Sequence, residues 1–279
     1  MMIDSHQHFW HYDPVEFDWI DESMLSIRTN FLPGMLEPVI RASGIDGVVT
    51  VQARQSEEET EWLLDQARQN DFIKGIVGWL PLAAPQLDAS LEKYAGENML
   101  KGIRHVIQGE PDPDFILRAD FNRGIEQLKK QNLVYDILVL ESQLPNTIKF
   151  VDLHPDQIFV LDHIAKPLIG RNELSPWRER ILELARRENV HCKLSGMVTE
   201  ADFQDWTDTQ LHPYFEVVLE AFGPERLLFG SDWPVCLVAT TYLDWVNLVR
   251  REITALSQFE QNQIMGGNAE RIYKLRVER

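Results

Sequence analysis

Cysteine is nearly missing from the sequence: Cys192 and Cys236 are the only two in 279 residues. They are too few for a disulfide framework and stand in no Cys-x-x-Cys spacing, so both read as free thiols. Basic charge is scarce as well. Lysine and arginine number 27 against 44 acids, a net charge of −17, with no basic run. A nucleic-acid backbone or an anionic membrane surface would be repelled, which leaves a small molecule as the expected partner. No apolar stretch approaches the roughly 18–20 residues that cross a bilayer, and no basic segment with an apolar run and cleavage site opens the sequence. The expectation is a soluble, cytoplasmic protein. Also absent are a Gly-x-Gly-x-x-Gly after the first β-rich run and a Gly-Lys-Ser/Thr phosphate loop, the common nucleotide grips of open α/β sheets. No Pro/Gly/Ser-rich linker, repeat or low-complexity tract divides the chain, so one domain is expected over residues 1–279.

What is present is an ordinary globular composition, 44% hydrophobic and 25% charged, with enough length for a large core. Eight β-rich runs are legible: Met2–Ser5, Gly47–Gln52, Ile73–Leu80, Gly102–Val106, Val134–Leu138, Ile158–Asp162, Val190–Leu194 and Leu227–Gly230. Most are dense in Val, Ile, Leu and Phe with little polar alternation, as parallel strands covered on both faces should be. Helix-like stretches lie between them at Glu57–Asn70, Asn122–Gln131, Gln143–Val151, Pro176–Asn189 and Pro213–Phe222. This alternation over the length of the chain points to an α/β fold, a (β/α)8 TIM barrel; a doubly wound open sheet, lacking its nucleotide grips here, is the alternative.

The first run leads into His6 and His8 within IDSHQHFW, residues 3–10. Side chains alternate along a strand, so His6 and His8 point the same way, about 7 Å apart, which is chelation geometry. Two solvated, idle histidines are the bland reading. A barrel discriminates between them, because its active site gathers side chains from the C-terminal ends of several strands. The sixth run ends in Asp162-His163 and the eighth in Asp232-Trp233. Alone, His163 would read as a buried, hydrogen-bonded core histidine and Asp232 as a turn or capping aspartate. Together, His6, His8, His163 and Asp232 converge on one barrel mouth.

The His-x-His, the LDH of the sixth run, LLFGSDWP of the eighth and GGNAERIYKL near the C-terminus resemble the amidohydrolase superfamily, in its branch of sugar-lactone hydrolases. HQHFW, VQA, GIRH and CKLSG follow in the order of that branch, so the resemblance spans nearly the whole chain. It implies a (β/α)8 barrel with His6, His8, His163 and Asp232 as reaction centre. It also implies a divalent metal, zinc foremost, on those four residues, or a type that works without metal. Two-metal members carry a lysine or glutamate on strand 4 or 5, and GIRHV and YDILVLES show no such bridge, so at most one ion is expected.

Ester hydrolysis needs a proton acceptor for water, an electrophile for the carbonyl oxygen and an acid for the leaving alkoxide. Asp232 is the candidate general base, with the histidines polarising the carbonyl directly or through a metal. Gln52, Trp79, Arg104 and His105 end other strands and are candidates for binding substrate. Arg104 and His105 cannot both face the mouth, and Arg104, with its planar fork, is the better choice. Trp10, Trp79 and Trp233 are candidate platforms for a sugar ring, although a core role is the ordinary one for any single tryptophan. Lys166 and Lys193 are weaker candidates, and residues 13–21, DPVEFDWID, could form a lid carrying Trp19 or a merely solvated acidic loop.

The resemblance favours a sugar (aldono- or urono-) lactone, especially of a 6-deoxy sugar such as fuconate or rhamnonate. Two other functions stay open: a metal-dependent decarboxylase of an unsaturated carboxylic acid on the same barrel, and a barrel that only binds a ligand. Assembly into a homo-oligomer is left open by the sequence.

Overall fold

The computed structural model describes residues 1–275. Eight strands, β1 Ile3–Gln7, β2 Gly47–Val51, β3 Ile73–Gly78, β4 Leu100–His105, β5 Val134–Ile137, β6 Phe159–Leu161, β7 Val190–Leu194 and β8 Leu227–Phe229, stand side by side in chain order. Each neighbouring pair is parallel. The sheet closes on itself where β1 meets the chain beyond β8: the Asp232 N–H donates to His6 O at 2.8 Å and the His8 N–H to Trp233 O at 2.7 Å. The fold is a (β/α)8 barrel.

Burial on both faces explains strands that are apolar throughout, β2 (GVVTV) being covered at every position. Val49, Val77, Val160 and Leu228 form an inner cluster with Ile272 and Tyr273 of the C-terminal stretch. Gly266 lets that stretch approach the first strand closely, since a Cβ there would lie 2.0 Å from Met1 O.

Helices α1 Pro33–Ala42, α2 Glu57–Gln69, α3 Leu87–Lys93, α4 Ala119–Lys130, α5 Leu144–Leu153, α6 Trp177–Leu184, α7 Asp208–Phe222 and α8 Tyr242–Glu252 follow the strands in turn. Local chemistry sets their ends. Ser56 Oγ caps α2 by accepting from the Glu58 and Glu59 N–H groups, and three glutamates fill the first turn, where the helix dipole favours negative charge. Thr207 caps α7 in the same way, so that helix starts at Asp208 with Pro213 inside it, not at its start. Helix α6 stops at Leu184, short of the expected Asn189. Strand β1 runs on to Gln7, past the expected Ser5, and β3 stops at Gly78, leaving Trp79 beyond it. Helices α1, α3 and α8 lie outside the five stretches read from periodicity. Among the described residues no helix is long and apolar enough to cross a membrane.

The seam between β1 and β8 is fastened from below by Asp4. Its buried carboxylate accepts from the Ser231 N–H at 2.9 Å, Ser231 Oγ at 2.6 Å and Tyr242 OH at 3.1 Å. Ser231 Oγ in turn accepts from the Trp233 N–H at 3.0 Å. Ser231→Ala removes one donor from a buried carboxylate and one acceptor from a buried N–H. The expected loss is about 1–3 kcal/mol of stability, read as a lower urea midpoint at unchanged m; an unchanged midpoint would show that the seam does not depend on this hydroxyl.

Candidate active site

Period-two alternation puts a polar layer at the top of the barrel. On β4, β5, β7 and β6, Ile103, Tyr135, Cys192 and Leu161 belong to the outer core. Arg104, Asp136, Lys193 and Asp162, one position on from each, meet inside it. Asp162 is fully buried; its Oδ2 accepts from Arg104 Nη1 at 2.9 Å, and its Oδ1 lies 3.0 Å from Lys193 Nζ and 3.2 Å from His6 Nδ1. Lys193 also contacts Asp136 at 2.5 Å and His6 Nδ1 at 3.2 Å. Tyr273 OH donates to Asp136 from below at 2.9 Å. Burial works to raise Asp162, but Lys193, His6 and Arg104 hold its carboxyl well below the usual range.

The four residues of the opening and closing motifs lie on this layer. His8 donates from Nδ1 to Val51 O at 2.8 Å, which aims its Nε2 inward, 3.2 Å from His6 Nε2 and 3.3 Å from Asp232 Oδ1. His6 Nε2 lies 3.7 Å from the same carboxylate oxygen, and the His6 and His163 ring centroids are 4.4 Å apart. His163 is held through Nδ1 by Ser195 Oγ at 2.9 Å. Burial is the largest effect on Asp232 and acts upward, yet His163, His8 and His6 together keep it well below an ordinary aspartate. Burial pushes His163 down to about 4 and His6 below its ordinary value. At neutral pH a carboxylate therefore faces two neutral imidazoles.

Unusual backbone aims these groups. Asp232 has φ 58°, and the turn His163–Lys166 is left-handed at every residue, with φ between 47° and 60°. Such conformations cost about 1–2 kcal/mol per non-glycine residue and persist only where the surroundings impose them. Trp177 Nε1 donates to Ile164 O at 2.8 Å, inside that turn. Gly196, with φ +62°, passes beneath His163, where a Cβ would come within 2.5 Å of Nδ1.

A cavity of about 570 Å³ opens over the layer, lined by His8, Arg104, His163 and Asp232. His6 lies beneath it, fully buried. Gln52, Trp79, His105, Trp10 and Trp233 do not line it, whereas Lys166 and Trp19 do. Trp10 is buried, donates to Thr29 O and packs edge-on to Phe31; Trp233 is buried against Phe9 and Phe31. Trp79 donates to His105 Nδ1 at 3.2 Å, and His105 stacks on Phe115 and contacts Glu110 Oε1 at 2.6 Å, outside the barrel. Gln52 lies behind Arg104, whose Nη2 donates to the Gln52 backbone carbonyl and to its Oε1. Thus five of the strand-end candidates brace the site or the shell and do not face the cavity, because a strand end offers only every second side chain to the mouth.

The cavity's remaining wall comes from loops. Glu16, Asp18, Trp19 and Asp21, from the segment after β1, form part of it, and Arg54 pairs with Glu16 across the rim. Lys166 and Glu200 line the opposite part. Neither Arg54 nor Glu200 carries a sequence signal, since Arg54 sits in the loop after β2 and Glu200 in a single short helical turn after β7; Asp162 does, through its place beside His163.

The amidohydrolase family model matches residues 3–275. The chain belongs to the amidohydrolase family. Within that family, a Burkholderia multivorans protein named L-fucono-1,5-lactonase is 40% identical over 286 residues, 99% of this chain and 96% of its own. A Burkholderia ambifaria protein of the same name is 33% identical over 98% of this chain and 95% of its own. A crystal structure of a Burkholderia multivorans amidohydrolase with bound zinc superposes with a TM-score of 0.96 at 40% identity, covering 99% of this chain and all of that one.

The donors of this amidohydrolase suit one such ion. His6, His8 and Asp232 each offer a ligand atom within 4.8 Å of the others, all buried, and the His8 Nδ1 bond to Val51 O is the outer contact that orients a metal-binding imidazole. Two imidazoles and a carboxylate match zinc's preference and leave a position for water or substrate. A second ion would meet Lys193 and Arg104, two fixed cations already occupied with Asp162. Zinc titrated into chelated protein is expected to bind at no more than one ion per chain, and His8→Asn to weaken that binding at least tenfold; calorimetry showing two tight equivalents would contradict this reading.

Proposed function

We propose that this protein hydrolyses the lactone of a neutral, hydroxylated sugar to its aldonic acid. The observation that carries the reading is the Asp232 carboxylate, fixed against His8 and within reach of the cavity that also receives His163 and Arg104. Asp232 takes a proton from water as the water oxygen attacks the lactone carbonyl. His163, its Nδ1 occupied by Ser195, turns its other nitrogen to the oxyanion, and Arg104 adds positive charge beside it. When the ring C–O bond breaks, Asp232 returns the proton to the departing ring oxygen, so one water is consumed and one hydroxy acid formed. A divalent ion bound at His6, His8 and Asp232 would add Lewis-acid polarisation of the carbonyl. A base as acidic as Asp232 suits a lactone, an activated ester, better than an amide.

The cavity wall carries five acids, Asp232 among them, against three fixed cations, Arg54, Arg104 and Lys166. A carboxylate substrate would be repelled there, which disfavours both uronolactones and a decarboxylase. The names of the two Burkholderia relatives make L-fucono-1,5-lactone the first substrate to offer.

Asp232→Asn is expected to lower kcat by about two orders of magnitude or more while the melting temperature and lactone affinity hold. Because Asp232 titrates below the ordinary aspartate value of 3.8, the wild-type rate, corrected for spontaneous hydrolysis, should be level between about pH 6 and 8. Near-wild-type turnover in the variant would remove Asp232 from the chemistry, and decarboxylation with every lactone untouched would replace the reaction itself.

A further inference from the structure

Lys166 and Glu200 belong to neither the proton-transfer group nor the metal donors, yet both face the cavity. They arrive from different loops. Lys166 ends the left-handed turn that begins at His163, closed by its own N–H to His163 O at 2.8 Å. Glu200 lies in the short helix Val198–Glu200, just after the Ser195-Gly196 pair that backs His163. The loops after β6 and β7 are thus joined twice, by Ser195 on His163 at 2.9 Å and by Lys166 Nζ facing Glu200 Oε1 at 3.4 Å.

The second link is unlike the first. At 3.4 Å it is longer than a well-made N–H···O hydrogen bond, and each side chain keeps 21% of its surface open. Burial raises the Glu200 carboxyl despite Lys166, so the ion pair does not fully compensate the carboxylate for lost water. An ammonium and a carboxylate at this spacing present donors and acceptors side by side, which is the complement of two neighbouring hydroxyls on a ring: one accepts from the lysine while the other donates to the glutamate.

We infer that Lys166 and Glu200 form a hydroxyl clamp that selects polyhydroxylated lactones and holds the ring against Asp232 and His163. The inference rests on the lactonase reading and deepens it. The two residues touch parts of the substrate away from the reacting carbonyl, so they govern binding and discrimination more than the bond-breaking step. The strained turn acquires a second use: by placing residues three apart on one wall, it couples recognition of the ring to the imidazole that meets the carbonyl.

The test is steady-state kinetics of the full-length protein with L-fucono-1,5-lactone and with δ-valerolactone, which has the ring and no hydroxyls. In Lys166→Met and Glu200→Gln, KM for the sugar lactone should rise about tenfold to a hundredfold, the usual worth of a hydrogen bond to a charged group, with kcat changing much less. Preference for the sugar lactone over δ-valerolactone, as a ratio of kcat/KM, should fall by a similar factor. Lys166→Arg should retain more of that preference than Lys166→Met, which keeps the proposal testable if one variant folds poorly. A large fall in kcat at unchanged KM, equal losses on both lactones, or no change in either would overturn it. Failure of the wild type on every lactone would overturn the lactonase reading and the clamp together, and is visible before any variant is made.

Discussion

A single buried carboxylate, Asp162, sets the order of the barrel's upper layer. It is fully buried, and its charge is tolerable only because Arg104, Lys193 and His6 converge on it from three other strands. Each partner is fixed by that demand. Arg104 cannot swing freely into the cavity, Lys193 must bridge to Asp136, and His6 is held with its ring between Lys193 on one side and His8 on the other. The catalytic candidates rest on this platform: Asp232 and His8 meet above His6, and His163 follows Asp162 directly in the chain. Removing any one of the charges would strand the others in a dry interior, so the layer functions as a unit.

The strands and the barrel were legible because parallel strands covered on both faces leave dense apolar runs, and the spacing of those runs admits few architectures. The clustering of three histidines and an aspartate was legible for a related reason. His6 and His8 are two apart on one strand, while His163 and Asp232 stand where strands 6 and 8 end, so alternation and barrel geometry bring them together without knowledge of any loop. The same alternation separates Arg104 from His105 and could have paired Asp162 with Lys193, since both share the inward parity of Arg104. That pairing was missed because an acid beside a histidine reads first as an accessory to it.

The tryptophans show where pattern runs out. Trp10, Trp79 and Trp233 stand at strand ends, as substrate platforms would, but Trp10 and Trp233 turn into the shell with Phe31 and Trp79 turns to His105. Direction past a strand end depends on backbone torsion, and here the torsions are unusual: left-handed residues at Asp232 and throughout His163–Lys166. No propensity predicts such a run, because it is imposed by tertiary contacts such as Trp177 on Ile164 and the close passage of Gly196. Arg54, Glu200 and the wall after β1 are hidden likewise, in loops whose course the sequence does not specify.

The seam between the first and last strands has a consequence for how the protein comes into being. Asp4 and Ser231, bonded across it, are 227 residues apart in the chain. The histidine pair precedes β8 by most of the length of the barrel, and the Asp232 carboxylate reaches it only when β8 and the turn that follows have docked. A nascent chain holding seven strands has its imidazoles in hand and an open edge where the carboxylate belongs. The imidazoles and the carboxylate thus come together only when the final strand closes the ring.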